Sequence, residues 1–136
     1  MQVQTYLMMD GRAEEAIEFY KKTLGATVTM LMRFKESPDP HMCSPGAENK
    51  VMHAYMNIGE TGVMISDGRN TGQPKFEGFA LSIATKTEAE ADKLFNALGD
   101  GGKVTMPQSK TFFSARFGML QDKFGVNWMI LVASDL

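Results

Sequence analysis

"GATVTM" at residues 25–30 and "GGKVTM" at residues 101–106 give the chain the same Val-Thr-Met ending twice, each opened by a glycine. Three shared letters decide nothing alone, so the flanks carry the weight. Before the first copy stands "AEEAIEFYKKTLG" (13–25). Ala13, Ala16, Ile17, Tyr20 and Leu24 fall at i, i+3, i+4, i+7 and i+11, one stripe of an α-helix. Glu14, Glu15 and Glu18 near its start and Lys21 and Lys22 near its end suit the helix dipole, and Gly25 is a stop signal. Before the second copy stands "TEAEADKLFNALG" (87–99). Thr87 with Glu90 spells a capping box. Ala91, Leu94, Phe95 and Leu98 form the stripe, and Gly99 to Gly102 end the helix.

Further out the match continues in type rather than in letters. Strand-like runs precede both helices, "VQTYLMM" (3–9) and "FALSIAT" (79–85). Two more follow each copy: "VMHAYMNIG" (51–59) and "GVMISD" (62–67), then "FSARFGMLQ" (113–121) and "VNWMILV" (126–132). Each half therefore reads strand, helix, strand, strand, strand. The expectation is an α+β chain built by internal duplication of one βαβββ unit. It forms a single domain over 1–136, with module one about 1–70 and module two about 77–136. Two stretches rich in turn formers, 36–49 ("ESPDPHMCSPGAEN") and 67–78 ("DGRNTGQPKFEG"), read as loops.

The formal charge is −2 and charged residues are spread along the chain. No basic tract points to nucleic acid, and no apolar run approaches the ~20 residues of a membrane helix. The N-terminus lacks the layout of a signal peptide, and a single cysteine, Cys43, excludes an internal disulfide. These features place the protein in a reducing cytoplasm with neither nucleic acid nor membrane as partner.

Several motifs fail on spacing. "GDGGKV" (99–104) is no phosphate loop, because Ala97 stands where the first glycine belongs and Val104 where Ser or Thr is required. No Gly-x-Gly-x-x-Gly, His-Glu-x-x-His or Cys-x-x-Cys occurs. His41, Met42 and Cys43 could offer a soft-metal site or a Cys–His pair, against the plainer reading of a polar loop. In "VMHAYMNIG" strand alternation places His53, Tyr55 and Asn57 on one face, against Met52, Ala54, Met56 and Ile58 on the other. That polar face reads as a cavity wall or as a half-wet sheet. Arg116 sits in an otherwise apolar run, either as a surface arginine or facing an anionic ligand that neutralises it. The twelve methionines read mainly as adaptable core filler, with Met64 and Met129 set apart below.

The duplicated unit resembles the vicinal oxygen chelate superfamily of glyoxalases, bleomycin-resistance proteins and extradiol dioxygenases, and most closely its PhnB-like branch. The motifs that carry the resemblance are "YLMMDGRAEEAIEFYKKTLGA" (6–26), "KVMHAYMNIG" (50–59), "GGKVTMP" (101–107) and "ARFGMLQDKFGVNWMI" (115–130). It implies a curled mixed sheet around a cup-like cavity, helices outside, and a homodimer. It also implies four metal ligands on the first and fourth strands of the modules. Aligned here, those positions fall on Thr5, Met64 (or Ser66), Phe79 and Met129, none a good ligand for a hard or borderline divalent ion. The expectation is therefore no metal and no cofactor, and an apolar cup that holds a small molecule, apolar or aromatic and in one variant anionic. Its lining is His53, Tyr55, Asn57, Met64, Phe79, Arg116 and Met129. The alternative is a small enzyme acting on a carbonyl or phenolic substrate, with His53 as acid–base group or metal ligand. PhnB-like sequences also carry the label 3-demethylubiquinone 3-methyltransferase, but no residues here support cofactor-dependent methyl transfer.

Overall fold

The computed structural model describes residues 1–39, 41, 43–68 and 74–134. It divides into two compact units, Met1–Pro74 and Lys75–Leu136. The first contains β1 (Thr5–Met8), α1 (Ala13–Leu24), β2 (Thr27–Arg33), β3 (Val51–Ile58) and β4 (Thr61–Ser66). Its sheet runs β1-β4-β3-β2, with β1 parallel to β4 and the remaining pairs antiparallel. The second contains β5 (Leu81–Thr85), α2 (Glu88–Gly99), β6 (Lys103–Ser109), β7 (Phe117–Gln121) and β8 (Asn127–Val132). Its order, β5-β8-β7-β6, repeats the first with the same parallel and antiparallel pairs. The fold is α+β, two βαβββ units, as the duplicated pattern requires. Among the described residues no helix is long and apolar enough to cross a membrane.

The repeated Val-Thr-Met is a β-bulge in both units. Val28 stands opposite Met56 and Met30 opposite Tyr55, so two consecutive residues of β3 face three of β2 and Thr29 is the extra one. In β6 and β7 the same holds: Val104 faces Leu120, Met106 faces Met119, and Thr105 is extra. Residues two apart on a regular strand share a face. The bulge breaks that rule, placing each valine on the helix side and each methionine on the opposite side. Thr29 Oγ1 donates to Tyr55 O (3.2 Å), holding the bulge in the first unit. The glycine that opens each copy is left-handed, with φ of 66° at Gly25 and 76° at Gly101. That conformation costs glycine little and lets the chain leave the helix for the strand.

Each helix covers one face of its own sheet. Leu7, Ala54, Met56, Val63 and Ile65 are buried, as are Ala13, Ala16, Ile17 and Tyr20 of the α1 stripe. In the second unit Leu120, Trp128 and Ile130 are buried together with Ala91, Phe95 and Leu98 of α2. Full burial of side chains of this size contributes about 1.5–3 kcal/mol each. The ring of Phe95 lies so close to β7 at Gly118 that an added Cβ would stand 2.6 Å from it, so only glycine fits there.

Two buried aspartates tie the elements together. α1 begins without a side-chain cap of its own at Arg12. The cap comes from Asp67, just past β4, whose Oδ1 accepts from Gly11 N and Ala13 N and whose Oδ2 accepts from Val51 N, each at 2.8 Å. Asp122, after β7, accepts from Phe124 N (2.9 Å) and Val126 N (3.0 Å) through Oδ1 and from Trp128 Nε1 (2.9 Å) through Oδ2. α2 follows the capping expectation halfway. Thr87 Oγ1 accepts from Glu90 N (3.1 Å), but the Glu90 carboxylate accepts from Lys86 N instead of closing the box on Thr87.

Strand ends depart from the apolar runs. "FSARFGMLQ" enters the sheet only at Phe117. Before it the chain turns, with Thr111 Oγ1 accepting from Ser114 N (3.0 Å) and the buried Ser114 Oγ in reach of two acceptors for its one proton, the carbonyls of Arg116 (2.8 Å) and Val132 (2.9 Å). Hydroxyl-to-backbone bonds of this kind compete with the sheet ladder. In the loop after β2, a 3₁₀ turn at Phe34–Glu36 is followed by irregular chain. Met42 of the soft-metal reading and residues 69–73 of the second loop lie outside the described residues.

Candidate functional site

Strand alternation gives each sheet a second face, opposite its helix, and there the two units differ in chemistry. In the first unit one row crosses all four strands: Tyr6 on β1, Met64 on β4, Tyr55 on β3 and Met30 on β2. The equivalent row of the second unit is Ser82, Met129, Met119 and Met106. Met30 and Met106, the last letters of the opening repeat, thus close corresponding rows. Where the first unit alternates phenols with thioethers, the second sets three thioethers beside one hydroxyl.

Beside the first row stands His53, registered against Met32. Its Nδ1 lies 2.9 Å from Tyr6 Oη, with the two rings 5.6 Å apart and tilted by 34°. The contact joins β1 to β3 over the intervening β4. Tyr55 bends the other way. Its phenolic oxygen accepts from Gln4 Nε2 and lies directly over Gly62, where an added Cβ would fall 1.9 Å from it. Gly62 thus provides the space that lets the Tyr55 ring lie along the sheet. Asn57 continues the face beyond Tyr55, paired with Gly62 on one side and Thr27 on the other. Tyr6, Met8 and Met30 are exposed, while His53, Tyr55, Asn57 and Met64 are half-buried. The surface is therefore apolar and soft, with a few placed hydrogen-bonding groups, the usual chemistry of a small-molecule site.

His53, Tyr55, Asn57 and Met64 lie together on this face, and Met129 lies at the matching place in the second unit. Two other candidates stand elsewhere. Arg116 precedes β7 and turns to α2, where its Nε lies 3.1 Å from Asp92 Oδ1 and its Nη2 lies 3.7 Å from Glu88 Oε2. Carboxylates of the chain itself supply its counter-charge. Nη2 donates to Asp92 Oδ2 at 3.3 Å, whereas Nε is close to Asp92 without being aligned for a bond. Phe79 lies before β5 and is about half exposed, at 49%.

The register also corrects the first-strand positions. Tyr6, not Thr5, pairs with Met64, and Ser82, not Phe79, pairs with Met129. Apolar residues occupy both parities of "TYLMM" and "FALSIA", so alternation could not set their phase. Tyr6 is the residue that this ambiguity concealed. Its partnership with His53 spans 47 positions and no local pattern encodes it.

A divalent metal, which the superfamily fold implies, does not fit here. The paired first- and fourth-strand positions offer a phenol and a thioether in the first unit and a hydroxyl and a thioether in the second, each a poor donor pair for such an ion. Among the described residues no three of His, Cys, Asp and Glu gather as a metal site would need. His41 is exposed, and the Cys43 thiol contacts Ser44 O (3.5 Å); no hydrogen bond joins the two.

The two βαβββ units have the fold of the glyoxalase and bleomycin-resistance type. Residues 1–131 match the family model described as 3-demethylubiquinone-9 3-methyltransferase, and the chain belongs to that PhnB-like family. It is 32% identical to protein YjdN of Escherichia coli K12 over 99% of this chain and 97% of that one. Among solved structures it resembles protein PA1353 of Pseudomonas aeruginosa at 36% identity and a TM-score of 0.87, covering 99% of both chains. A putative 3-demethylubiquinone-9 3-methyltransferase, PhnB protein, of Bacillus cereus follows at 30% identity and a TM-score of 0.82, covering 98% of this chain and 100% of that one. The fold alone extends to a glyoxylase/bleomycin resistance protein/dioxygenase domain of Frankia sp., 14% identical with a TM-score of 0.66, over 99% of this chain and 93% of that one.

Proposed function

We propose that this PhnB-like protein binds an apolar or aromatic small molecule without a metal, and that the face of the first sheet opposite α1 holds it. The observation that carries the reading is the Tyr6–Met64–Tyr55–Met30 row with His53 hydrogen-bonded beside it. Thioethers adapt to the outline of a ligand, phenol rings stack on its flat parts, and His53 and Asn57 orient its polar end. Met129 and its row give the second unit a related but less polar surface. Arg116 and Phe79 take no part.

A second reading, an enzyme acting on a carbonyl or phenolic compound, draws support from the same hydrogen bond. A catalytic histidine needs a second polar group to orient it, and Tyr6 is placed to do so. The family label of methyl transfer finds no such support, since the sequence has no Gly-x-Gly-x-x-Gly and the described residues form no doubly wound sheet to hold a nucleotide-like donor.

Fluorescence titration with 1-anilinonaphthalene-8-sulfonate tests the binding reading. The protein is expected to enhance the dye's emission saturably. His53→Ala should weaken binding about tenfold or more, the loss of one hydrogen bond to a charged group, while the melting temperature stays nearly unchanged. Unaltered binding in a variant that melts several degrees lower would make His53 a structural residue and sink the assignment. Elemental mass spectrometry after dialysis without chelator is expected to find metal far below one equivalent per chain. Stoichiometric nickel, zinc, iron or manganese would return the protein to the metal-dependent members of the superfamily.

A further inference from the structure

The Tyr6–His53 contact does more than join two strands, because it favours one imidazole tautomer over the other. A phenol is a far stronger hydrogen-bond donor than it is an acceptor, and the N–H of a neutral imidazole is much the weaker acid of the two. Between Tyr6 Oη and His53 Nδ1 the phenol therefore donates and Nδ1 accepts. The reverse arrangement would spend the weaker donor on the contact and leave the phenolic proton to solvent, since His53 is the sole hydrogen-bond partner of Tyr6 among the described residues. A neutral imidazole that accepts at Nδ1 must hold its proton on Nε2. Among the described residues no protein group bonds to that Nε2. The outcome is an N–H donor of fixed position beside the thioether and phenol row, with the Asn57 amide further along the same strand.

From this we infer that His53 serves its ligand as a hydrogen-bond donor through Nε2, not as a base, and that Tyr6 is the positioning residue that fixes this state. The inference rests on the binding reading above and narrows it. The ligand carries an acceptor oxygen, of the carbonyl class, attached to an apolar or aromatic body. The body lies along Met64, Tyr55 and Met30, and the oxygen meets His53 at the edge of the row. A ligand whose polar end were only a donor would meet Nε2–H without forming a bond. If the site is catalytic, the same geometry makes His53 the hydrogen-bond donor that polarises a carbonyl oxygen, with Tyr6 behind it.

Two measurements on the intact protein test this. Long-range proton–nitrogen NMR in alkaline buffer reads the tautomer directly. The chain has only two histidines, so His41→Ala assigns the remaining signals to His53. The Nε2–H pattern is expected, with a Nδ1 resonance that shifts in Tyr6→Phe, a variant that keeps the ring and removes the hydroxyl. Binding is then compared for 2-acetylnaphthalene and 2-isopropenylnaphthalene, two neutral probes alike in shape of which only the first bears an acceptor oxygen. The ketone should bind about fivefold or more tightly than the hydrocarbon, the worth of roughly one hydrogen bond. Tyr6→Phe should shrink that preference, read as the ratio of the two affinities whatever the change in either one alone. A dominant Nδ1–H tautomer, equal binding of the two probes, or a preference that survives Tyr6→Phe would overturn the donor assignment and leave the binding reading standing. If neither probe binds, the binding reading itself falls and the donor assignment with it.

Discussion

Replacing Asp67 with alanine is expected to destabilise the protein by about 3–5 kcal/mol, the range of a buried network that loses one partner. The side chain is 2% exposed and serves three backbone donors at once. Two of them, Gly11 N and Ala13 N, lie at the start of α1, and the third, Val51 N, opens β3. Alanine would strand all three in a site where water has little access, and each buried donor left unmade costs about 1–3 kcal/mol. It would also remove a negative charge from a helix N-terminus that has no cap of its own. Urea unfolding gives the measurement, with the slope of the transition confirming that the same surface is exposed. Asp67→Asn should recover only part of the loss, because one of its polar atoms becomes a donor facing another donor. A loss below about 1 kcal/mol in the alanine variant would show that water replaces the carboxylate, contrary to the accounting for buried donors. Because α1 covers the back of the sheet that carries Tyr6, His53 and Tyr55, the same substitution should loosen the candidate site as well.

Asp67 also marks the limit of what the sequence could say. Helix stripes, the glycine stops and most strand cores were legible because they depend on spacing within a few residues. Ala13, Ala16, Ile17 and Tyr20 face inward as their periodicity requires. His53, Tyr55 and Asn57 share a face as alternation requires, with Ala54 and Met56 buried on the other. What remained hidden depends on partners far apart in the chain. Asp67 looked like the first residue of a turn-rich loop, and only the return of β4 beside α1 makes it a cap, 54 positions from Ala13. Tyr6 was obscured twice, first by the uncertain phase of a four-residue strand and then by the 47 positions that separate it from His53. Arg116 looked like a buried cation in search of an anion, and the anions were carboxylates of α2, 24 positions earlier at Asp92. The bulge is the instructive case. Val-Thr-Met was visible as a repeat, yet a repeat of letters carries no sign that one of them is an extra residue and that the strand changes face within it.

The second large effect is expected at Gly102, and the repeat makes it counterintuitive. In the first copy the same place holds Ala26, which is buried without strain, so alanine should be harmless at Gly102 if the two units were interchangeable. They are not. A Cβ at Gly102 would stand 2.2 Å from the carbonyl oxygen of Gln121 and 2.9 Å from the carbonyl carbon of Asp122. Both obstacles are backbone, so no side-chain rotation relieves the contact, and Asp122 is itself fixed through its bonds to Phe124, Val126 and Trp128. Gly102→Ala must therefore push the end of β7 away from the start of β6, where Lys103 pairs with Gln121. The expected cost is about 3 kcal/mol or more, at or beyond the upper end of ordinary overpacking, because the neighbours that must yield are main chain. Gly101→Ala provides the control. Its penalty comes from a φ of 76° with only the Lys123 side chain nearby, at 3.4 Å, and should stay near 1 kcal/mol. Denaturant unfolding of the two variants side by side decides the matter. If Gly102→Ala costs no more than Gly101→Ala, the approach of β6 to the Asp122 turn is adjustable. If it costs several times more, the second glycine of "GGKVTM" is there for the backbone that passes it, and the two copies diverged at this position because only the second is crossed so closely.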